Sequence, residues 1–258
     1  MTSPPDRSPS DAWLALRRLT AARIGLSRAG ASLATRPLLE FNLAHARARD
    51  AVHAELDEAQ LMTDLAGLGL PVLQAASAAE DRRSYLMRPD LGRKLAPAAA
   101  ASLASHAGSY DLVCLIVDGL SARAVQSHAR PTLAGVIPAL RAESWRIAPL
   151  VVVRHGRVAI GDAIAATLHA GCVVVLIGER PGLSAPDSMG AYLTWRPNQG
   201  TTDADRNCIS NIRPDGIGYT DAAFKLLHLL RAMRAGGVSG VRLKDDSDRL
   251  LIGDDRQR

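Results

Sequence analysis

Residues 172–190 read CVVVLIGERPGLSAPDSMG, and their pattern predicts a strand followed by a tight turn. The continuous apolar, largely β-branched run at 173–177 is typical of a strand that is buried on both faces. The Pro-Gly pair at 181–182 then turns the chain. Because α/β proteins place ligands at the carboxyl ends of such strands, Glu179 and Arg180 form a candidate binding site. The alternative is a solvated ion pair in a surface turn.

Similar apolar runs recur on either side of this stretch and alternate with helical patterns. An alternation of strands and helices predicts a parallel sheet with right-handed crossovers. We therefore predict an α/β fold for residues 108–258, with a parallel, Rossmann-like sheet and flanking helices. The predicted strands are 112–117, 150–153, 158–160, 173–177 and 192–195, and the predicted helices are 120–128, 163–169 and 221–235.

The chain before residue 108 lacks strong strand patterns. Residues 1–10 are rich in Pro and Ser and are predicted to be a disordered tail. Residues 11–107 are predicted to be a helical N-terminal region, because their apolar residues mostly follow helical spacing. The elements predicted there are a helix over 11–23 capped by Ser10, a loop over 23–36, a long helix over 37–59, an ordered loop over 82–93 and a helix that begins at Pro97.

The composition excludes several classes of protein. The chain of 258 residues is 47% hydrophobic but 3% aromatic, so its core consists of aliphatic residues and alanine. No apolar run reaches the roughly 18 residues that span a bilayer, so we expect no membrane partner. The net charge is +5, but the arginines are scattered along the chain. Since nucleic-acid binding needs a basic stripe with exposed aromatics, we expect no nucleic-acid partner.

The three cysteines have neither the spacing of a zinc site nor the even count of a disulfide framework. Cys114 and Cys172 fall in or beside apolar runs and are predicted to be buried. Cys208 lies in TDADRNCISNIRP, residues 202–214, among polar residues that an ordinary buried cysteine would not keep. A structural turn and a ligand-binding loop are equally compatible with this composition. A thiolate activated by Arg206 is conceivable, but no partner base is evident.

Familiar nucleotide-binding motifs are absent, since no GxGxxG follows a strand and no GxxxxGK[ST] occurs. The sequence GLSA occurs twice, at 119–122 and 182–185, each time just after a predicted strand. A nucleophile elbow requires G-x-S-x-G, whereas the fifth residue here is Arg or Pro. An α/β hydrolase-like enzyme that uses Ser121 or Ser184 is therefore the alternative function.

Six blocks of the chain carry a family resemblance. Through them the sequence resembles the small (light) subunit family of ethanolamine ammonia-lyase, the adenosylcobalamin-dependent bacterial enzyme. The blocks cover nearly the whole length of the chain, and the last two are long and specific. They are RIGLSRAG (23–30), AHARARDAVH (44–53), RPDLGR (88–93), VDGLSA (117–122), IGERPGLS (177–184) and DRNCISNIRP (205–214).

This resemblance implies a lyase that converts ethanolamine to acetaldehyde and ammonia and is active only with a large subunit. It implies that the substrate site belongs to the large subunit, and that the small subunit closes adenosylcobalamin into the interface between them. The cofactor contacts that it implies for this chain are Val158, Glu179 and Cys208. It assigns no catalytic residue and no metal ligand here.

The resemblance also suggests a division of labour along the chain. Residues 108–258 are expected to form the cobalamin-binding domain. The helical region at 11–107 is expected to dock on the large subunit, because it shows arginine-rich polar faces and no strand ends of the kind that bind ligands. The expected location is the cytoplasm, with a bacterial microcompartment as the alternative. Encapsulated relatives have a longer segment before the residue that corresponds to Arg23, so residues 11–23 would have to serve as the targeting helix.

Cobalamin is expected to bind base-on, with its own dimethylbenzimidazole on the cobalt. Cobalamin proteins that replace this base carry a histidine in D-x-H-x-x-G, whose aspartate orients the imidazole. None of the seven histidines of this chain has an aspartate two positions earlier. The sequence therefore offers no such ligand to the cobalt.

Overall fold

The computed structural model describes residues 11–247. Its strands are β1 (Arg28–Ala29), β2 (Ser32–Leu33), β3 (Val72–Ala76), β4 (Tyr110–Val117), β5 (Leu150–Arg154), β6 (Ala170–Gly178), β7 (Met189–Trp195) and β8 (Arg206–Ile212). The last six form one sheet in the order β3-β5-β4-β6-β7-β8, and β1 pairs with β2 separately. Strands β3, β5, β4 and β6 are parallel, whereas β7 and β8 are antiparallel to their neighbours.

Helices cover both faces of the six-stranded sheet. The α-helices of the described chain are α1 (Asp11–Arg17), α2 (Thr35–His53), α3 (Glu58–Ala66), α4 (Arg82–Met87), α5 (Pro97–Ala104), α6 (Ala122–Ala142), α7 (Ile160–Leu168) and α8 (Tyr219–Gly236). Of these, α3, α6 and α8 cover one face of the sheet, and α5 and α7 cover the other. Side chains alternate between the two faces of a strand. On β4, Cys114 and Ile116 therefore join a core with α3, α6 and α8, whereas Val113 and Leu115 join a core with α5 and α7.

The α/β class and the buried strands are confirmed. The strands predicted at 112–117, 150–153 and 173–177 fall within β4, β5 and β6, and 192–195 falls within β7. The predicted stop of the last helix is also confirmed, because Gly237 ends α8 in the left-handed conformation, with φ +66°. The sheet is parallel in four strands and antiparallel in two, so the prediction of a parallel sheet holds for its larger part.

Two boundary predictions in the N-terminal part are wrong. The long helix ends at His53, and a separate helix α3 follows after Asp57, whose carboxylate accepts a hydrogen bond from the backbone N–H of Gln60. Aspartate is a favoured N-cap, so the chain restarts a helix there although the apolar spacing runs on. The predicted loop at 82–93 contains α4, which Asp81 caps in the same way.

Other segments adopt a different structure from the predicted one. Residues 158–160 form the turn into α7 instead of a strand, and residues 72–76, predicted within the helical region, form the edge strand β3. The segment 202–214 contains strand β8 instead of a turn or loop, and the loop at 23–36 contains the β1–β2 hairpin. The helix predicted to end at residue 128 continues through two prolines to the end of α6, because its apolar stripe packs on the sheet and on α8.

The N-terminal helices present unusually many apolar side chains to solvent. Helix α1 ends at Arg17, earlier than predicted, and the predicted Ser10 cap and the predicted tail at 1–10 lie outside the described residues. No helix in residues 11–247 combines the length and the apolar character that crossing a bilayer requires. The large exposed apolar side chains of this part are Trp13, Leu14, Leu16, Leu19, Leu33, Leu38, Leu39, Phe41 and Leu43.

Candidate functional site

The loops that follow the parallel strands form a cleft at the carboxyl-terminal end of the sheet. Strands β4, β5 and β6 run parallel, so their carboxyl ends lie side by side at this end. The cleft has a volume of about 400 Å³, within the range of small-molecule sites. Its lining includes Tyr85, Arg157, Val158, Glu179 and Tyr192.

The three predicted contact residues lie around this cleft. Val158 precedes α7 and Glu179 directly follows β6, and both line the cleft. Cys208 is exposed on β8, where it pairs in register with Tyr192 of β7. Tyr192 itself lines the cleft, so Cys208 extends the same surface by one strand. The fold thus brings three distant segments of the chain together, and their contact with a cofactor stays a prediction.

Three donors hold the Glu179 carboxylate in place. The Ser188 hydroxyl donates to Oε2, the Ser210 hydroxyl donates to Oε1 at 2.5 Å, and the backbone N–H of Asn211 donates to Oε2 at 3.1 Å. A carboxylate offers about four acceptor positions, so about one stays free for a ligand. Within residues 11–247, Glu179 forms no ion pair with Arg180, so the alternative of a solvated pair is wrong.

Two glycines allow the close backbone packing beneath the carboxylate. A Cβ atom on Gly178 would lie 2.0 Å from the carbonyl oxygen of Ser121 and 2.6 Å from that of Asp118. A Cβ atom on Gly190 would lie 2.8 Å from Oε1 of Glu179. Gly178 cannot be replaced without moving backbone, so the loop after β4 packs directly on the end of β6, whereas at Gly190 the obstacle is the flexible end of the Glu179 side chain.

The Cys208 thiol is kept in its neutral form. Although the residue is exposed to solvent, the protein around its sulfur partly desolvates the thiol and raises its pKa. The charge of Glu179 raises this pKa further, and a hydrogen bond with Tyr192 offsets part of the rise. Burial also raises the pKa of the Tyr192 hydroxyl. Since the thiolate is the nucleophilic form, Cys208 contributes a small neutral surface and not a reactive group.

Alkylation by iodoacetamide tests this conclusion. In the folded protein, Cys208 is expected to react more slowly at pH 8 than a free thiol does, and its rate is expected to keep rising above pH 9. The sign follows because a raised pKa moves thiolate formation to higher pH. Replacement of Glu179 by Gln should speed the reaction. Mass spectrometry of the Cys208 peptide gives the rate, and fast labelling near pH 7 would contradict the raised pKa.

Arg206 ties helix α7 to strand β8 beside the cleft. Its guanidinium donates to the two carboxylate oxygens of Asp162 at 2.8 and 2.7 Å and to Oγ1 of Thr194 at 3.0 Å. The side chain of Arg206 is 2% exposed and that of Asp162 is 13% exposed. Such bidentate pairs fix geometry as well as adding energy. With its guanidinium committed to Asp162, Arg206 is not the activator of Cys208.

A buried hydrogen-bond network around Asp118 joins the end of β4 to the loops that follow β4 and β5. The Asp118 carboxylate accepts from the backbone N–H groups of Gly119 at 2.8 Å, His155 at 2.9 Å and Gly156 at 3.3 Å. Burial raises the pKa of the Asp118 carboxyl, and these donors together with the charge of Arg82 offset part of the rise. The Arg82 guanidinium lies 3.8 Å from Asp118.

Arg82 extends this network to the N-terminal helices. It donates to the carbonyl oxygen of Val52 at 2.8 and 2.6 Å, and to that of Gly119 at 2.7 Å. Val52 belongs to the last turn of α2. One guanidinium therefore bonds the end of α2 to the loop after β4.

The geometry does not favour a serine hydrolase. Ser121 is fully buried, and its hydroxyl donates to the carbonyl oxygen of Pro186 at 3.1 Å. Ser184 is exposed in the loop after β6. Within the described part of the chain, neither hydroxyl has a hydrogen bond to a histidine, whereas a nucleophilic serine needs an adjacent base.

Three residues that line the cleft were not predicted as site residues from the sequence. Tyr85 lies on α4, in a segment predicted as a loop, and Tyr192 belongs to a predicted strand to which no site was assigned. Arg157 directly precedes Val158. Its position in the loop after a buried strand is the one feature of the sequence that points to it, because such loops often carry binding residues.

Comparison with known proteins identifies one family. Residues 10–244 match the family described as ethanolamine ammonia-lyase light chain (EutC). The chain is 51% identical over 260 residues to the ethanolamine ammonia-lyase small subunit of Ralstonia nicotianae, with 98% of this chain and 96% of that protein aligned. It is 52% identical over 257 residues to the subunit of the same name from Xanthomonas campestris pv. campestris, with 98% and 94% aligned. It is 53% identical over 249 residues to that of Azotobacter vinelandii, with 94% and 92% aligned.

Proposed function

The chain belongs to the ethanolamine ammonia-lyase light-chain family, and on this premise we propose that its cleft binds part of an adenosylcobalamin molecule. It is the small subunit of a lyase of ethanolamine catabolism. In the complex, this subunit binds and orients the cofactor, and the large subunit supplies the substrate site. The reaction converts ethanolamine to acetaldehyde and ammonia, and the chain is active only when the large subunit is present.

One observation carries the proposal, namely the meeting of Val158, Glu179 and the β7–β8 surface at the carboxyl ends of parallel strands. Ligands of α/β proteins bind at this edge. When bound, adenosylcobalamin supplies the radical chemistry, and the protein supplies binding, orientation and exclusion of water. No pair of cleft residues is arranged as nucleophile and base, which agrees with such a supporting role.

The residues of the cleft fit this cofactor. Amide side chains surround the corrin ring of cobalamin, and Glu179 retains about one acceptor position for an amide N–H. Val158 offers an apolar surface to the edge of the ring or to the nucleotide tail, and Cys208 offers a small neutral surface. The volume of about 400 Å³ suits a drug-sized ligand at most. Because cobalamin is larger than that, a second protein surface must cover the rest of it.

We propose that this second surface belongs to the large subunit, on which the region 11–107 docks. Supporting this, exposed apolar side chains concentrate between Trp13 and Leu43, whereas single proteins rarely expose large apolar patches. The base of the cofactor stays on the cobalt, since no histidine here has the D-x-H-x-x-G context. The location is the cytoplasm, with a bacterial microcompartment as the alternative. The three cysteines are free thiols, as a reducing compartment allows.

Replacement of Glu179 by Ala tests the proposed function. A hydrogen bond to a charged group is worth about 1.5–3 kcal/mol, so cofactor affinity should fall about 10- to 100-fold. The Kd of adenosylcobalamin is measured by absorbance titration of the complex with the large subunit, alongside acetaldehyde release. Cys208→Trp should weaken binding further, because the indole would cover the surface beside the cleft, next to Tyr192.

The controls separate a lost contact from a damaged fold. Ser184→Ala lies in the same exposed loop and should bind the cofactor like the wild type. Thermal unfolding of the Glu179 variant shows whether the loss of the Ser188, Ser210 and Asn211 bonds loosens the loop. Wild-type affinity in both the Glu179 and Cys208 variants would show that the cofactor binds elsewhere. Acetaldehyde release by the isolated chain would contradict the requirement for the large subunit.

A further inference from the structure

Arg157 lines the cleft, and within residues 11–247 its guanidinium has no hydrogen-bond acceptor and no carboxylate partner. Its Nε atom is fully buried and lacks a hydrogen-bond acceptor. Burying an unpaired charge is costly, so such groups normally have an acceptor. Arg157 lines the same cleft as Val158 and Glu179.

The position of this guanidinium is fixed in advance by packing. It lies over the Tyr85 ring, with Cζ 4.4 Å from the ring centroid, in a cation–π contact. A Cβ atom on Gly92 would lie 2.9 Å from Cγ of Arg157, so the stem of the side chain packs closely against this glycine. The backbone N–H of Arg157 donates to the carbonyl oxygen of Gly92 at 2.7 Å. Arg157 is therefore held in place before any ligand arrives.

Arg82 provides an internal comparison, because it packs on the same ring. Its Cζ lies 5.0 Å from the Tyr85 centroid. All three nitrogens of Arg82 donate to carbonyl oxygens of the protein. Each nitrogen of Arg82 thus has a protein acceptor, whereas Arg157 has the same aromatic support and no acceptor among the described residues.

We propose that Arg157 binds the phosphodiester of the nucleotide loop of cobalamin. This inference rests on the proposed function. The corrin side chains of adenosylcobalamin are neutral amides, so the phosphodiester is the anionic group that the cofactor offers. A planar guanidinium matches two phosphate oxygens with two parallel N–H donors. Val158, the next residue, would then lie beside the nucleotide loop.

The test compares two ligands on the apo complex of both subunits. Adenosylcobinamide lacks the nucleotide loop and its phosphate, whereas adenosylcobalamin has both. Arg157→Met keeps the apolar stem and removes the charge, and it should raise the Kd of adenosylcobalamin about 10- to 100-fold. The Kd of adenosylcobinamide should change by no more than about twofold. Arg157→Lys should give an intermediate loss, since it keeps the charge but not the fork of donors.

A matched variant and the remaining outcomes make the test decisive. Arg242→Met removes an exposed cation that lies outside both the cleft and residues 11–107, so it should leave both affinities unchanged. Equal weakening of both ligands, or of neither, in Arg157→Met would overturn the inference. Weaker association of the two subunits without cofactor would also overturn it, because Arg157 would then face a carboxylate of the large subunit. If the wild-type complex binds neither ligand, the proposed function itself fails.

Discussion

Gly178→Ala is expected to be the most damaging single substitution in the cleft, with a loss of more than about 3 kcal/mol of folding free energy. The added methyl group would lie 2.0 Å from the carbonyl oxygen of Ser121. That obstacle is backbone, so a change of rotamer cannot relieve the clash. Strand β6 or the loop after β4 must move, and the whole edge that carries Glu179 moves with it. For a chain of this size, the midpoint of thermal unfolding should fall by more than about 6 °C.

Gly182→Ala is the matched control for this prediction. It lies four residues further along the same loop, and its added Cβ would have no neighbour closer than 3.8 Å. An exposed substitution of this kind changes stability by no more than about 0.5 kcal/mol. Thermal unfolding of both variants in complex with the large subunit gives the comparison. Equal midpoints for the two would show that the loop after β4 does not pack on β6 as described.

Arg206→Met is expected to cost about 3–5 kcal/mol, because it leaves the Asp162 carboxylate buried without its partner. The two side chains are 2% and 13% exposed. The double variant Arg206→Met/Asp162→Leu should recover most of this loss, since apolar residues often replace a buried pair at little cost. Chemical denaturation of the three variants measures these differences.

The pair of Arg146 and Asp111 offers a matched comparison on the surface. The two side chains also form more than one hydrogen bond, but that of Arg146 is 61% exposed. Arg146→Met should therefore cost no more than about 1 kcal/mol. If Arg206→Met lowered the folding free energy as little as Arg146→Met does, the ion pair between α7 and β8 would contribute little to stability. The fixed position of Val158 relative to β8 would then need another cause.

Strands that are buried on both faces were predicted correctly from the sequence, whereas strands at the edges of the sheet were missed. Strands β4 and β6 are buried almost throughout, so their apolar runs are continuous and easy to read. Strand β3 has a single fully buried residue, Ala75, because it lies at the edge of the sheet. Strand β8 is the opposite edge, and its Asn, Cys and Ser residues show the polar pattern of a loop. Edge strands lack the second buried face that produces the signal.

The site was predictable in part. Glu179 could be found by physical reasoning, because it follows the strongest buried strand directly. Val158 and Cys208 came from the family resemblance, since neither stands out by residue type or spacing. Strand β8 lies near the cleft because β7 pairs antiparallel with both β6 and β8. No local sequence pattern predicted this antiparallel pairing. Arg157 drew no attention because an unpaired guanidinium is recognisable only when its surroundings are known.

The bonds of Arg82 to Val52 and Gly119 have a thermodynamic consequence. Helix α2 belongs to the proposed docking region, and Gly119 packs against Gly178 at the foot of the cleft. If α2 moves when the subunits assemble, these bonds would carry the movement to the end of the sheet that is proposed to bind the cofactor. Linkage then requires that association of the subunits and binding of the cofactor alter each other's equilibrium by the same factor. On the proposed function, a larger supply of cobalamin would then raise the fraction of small subunits that are assembled.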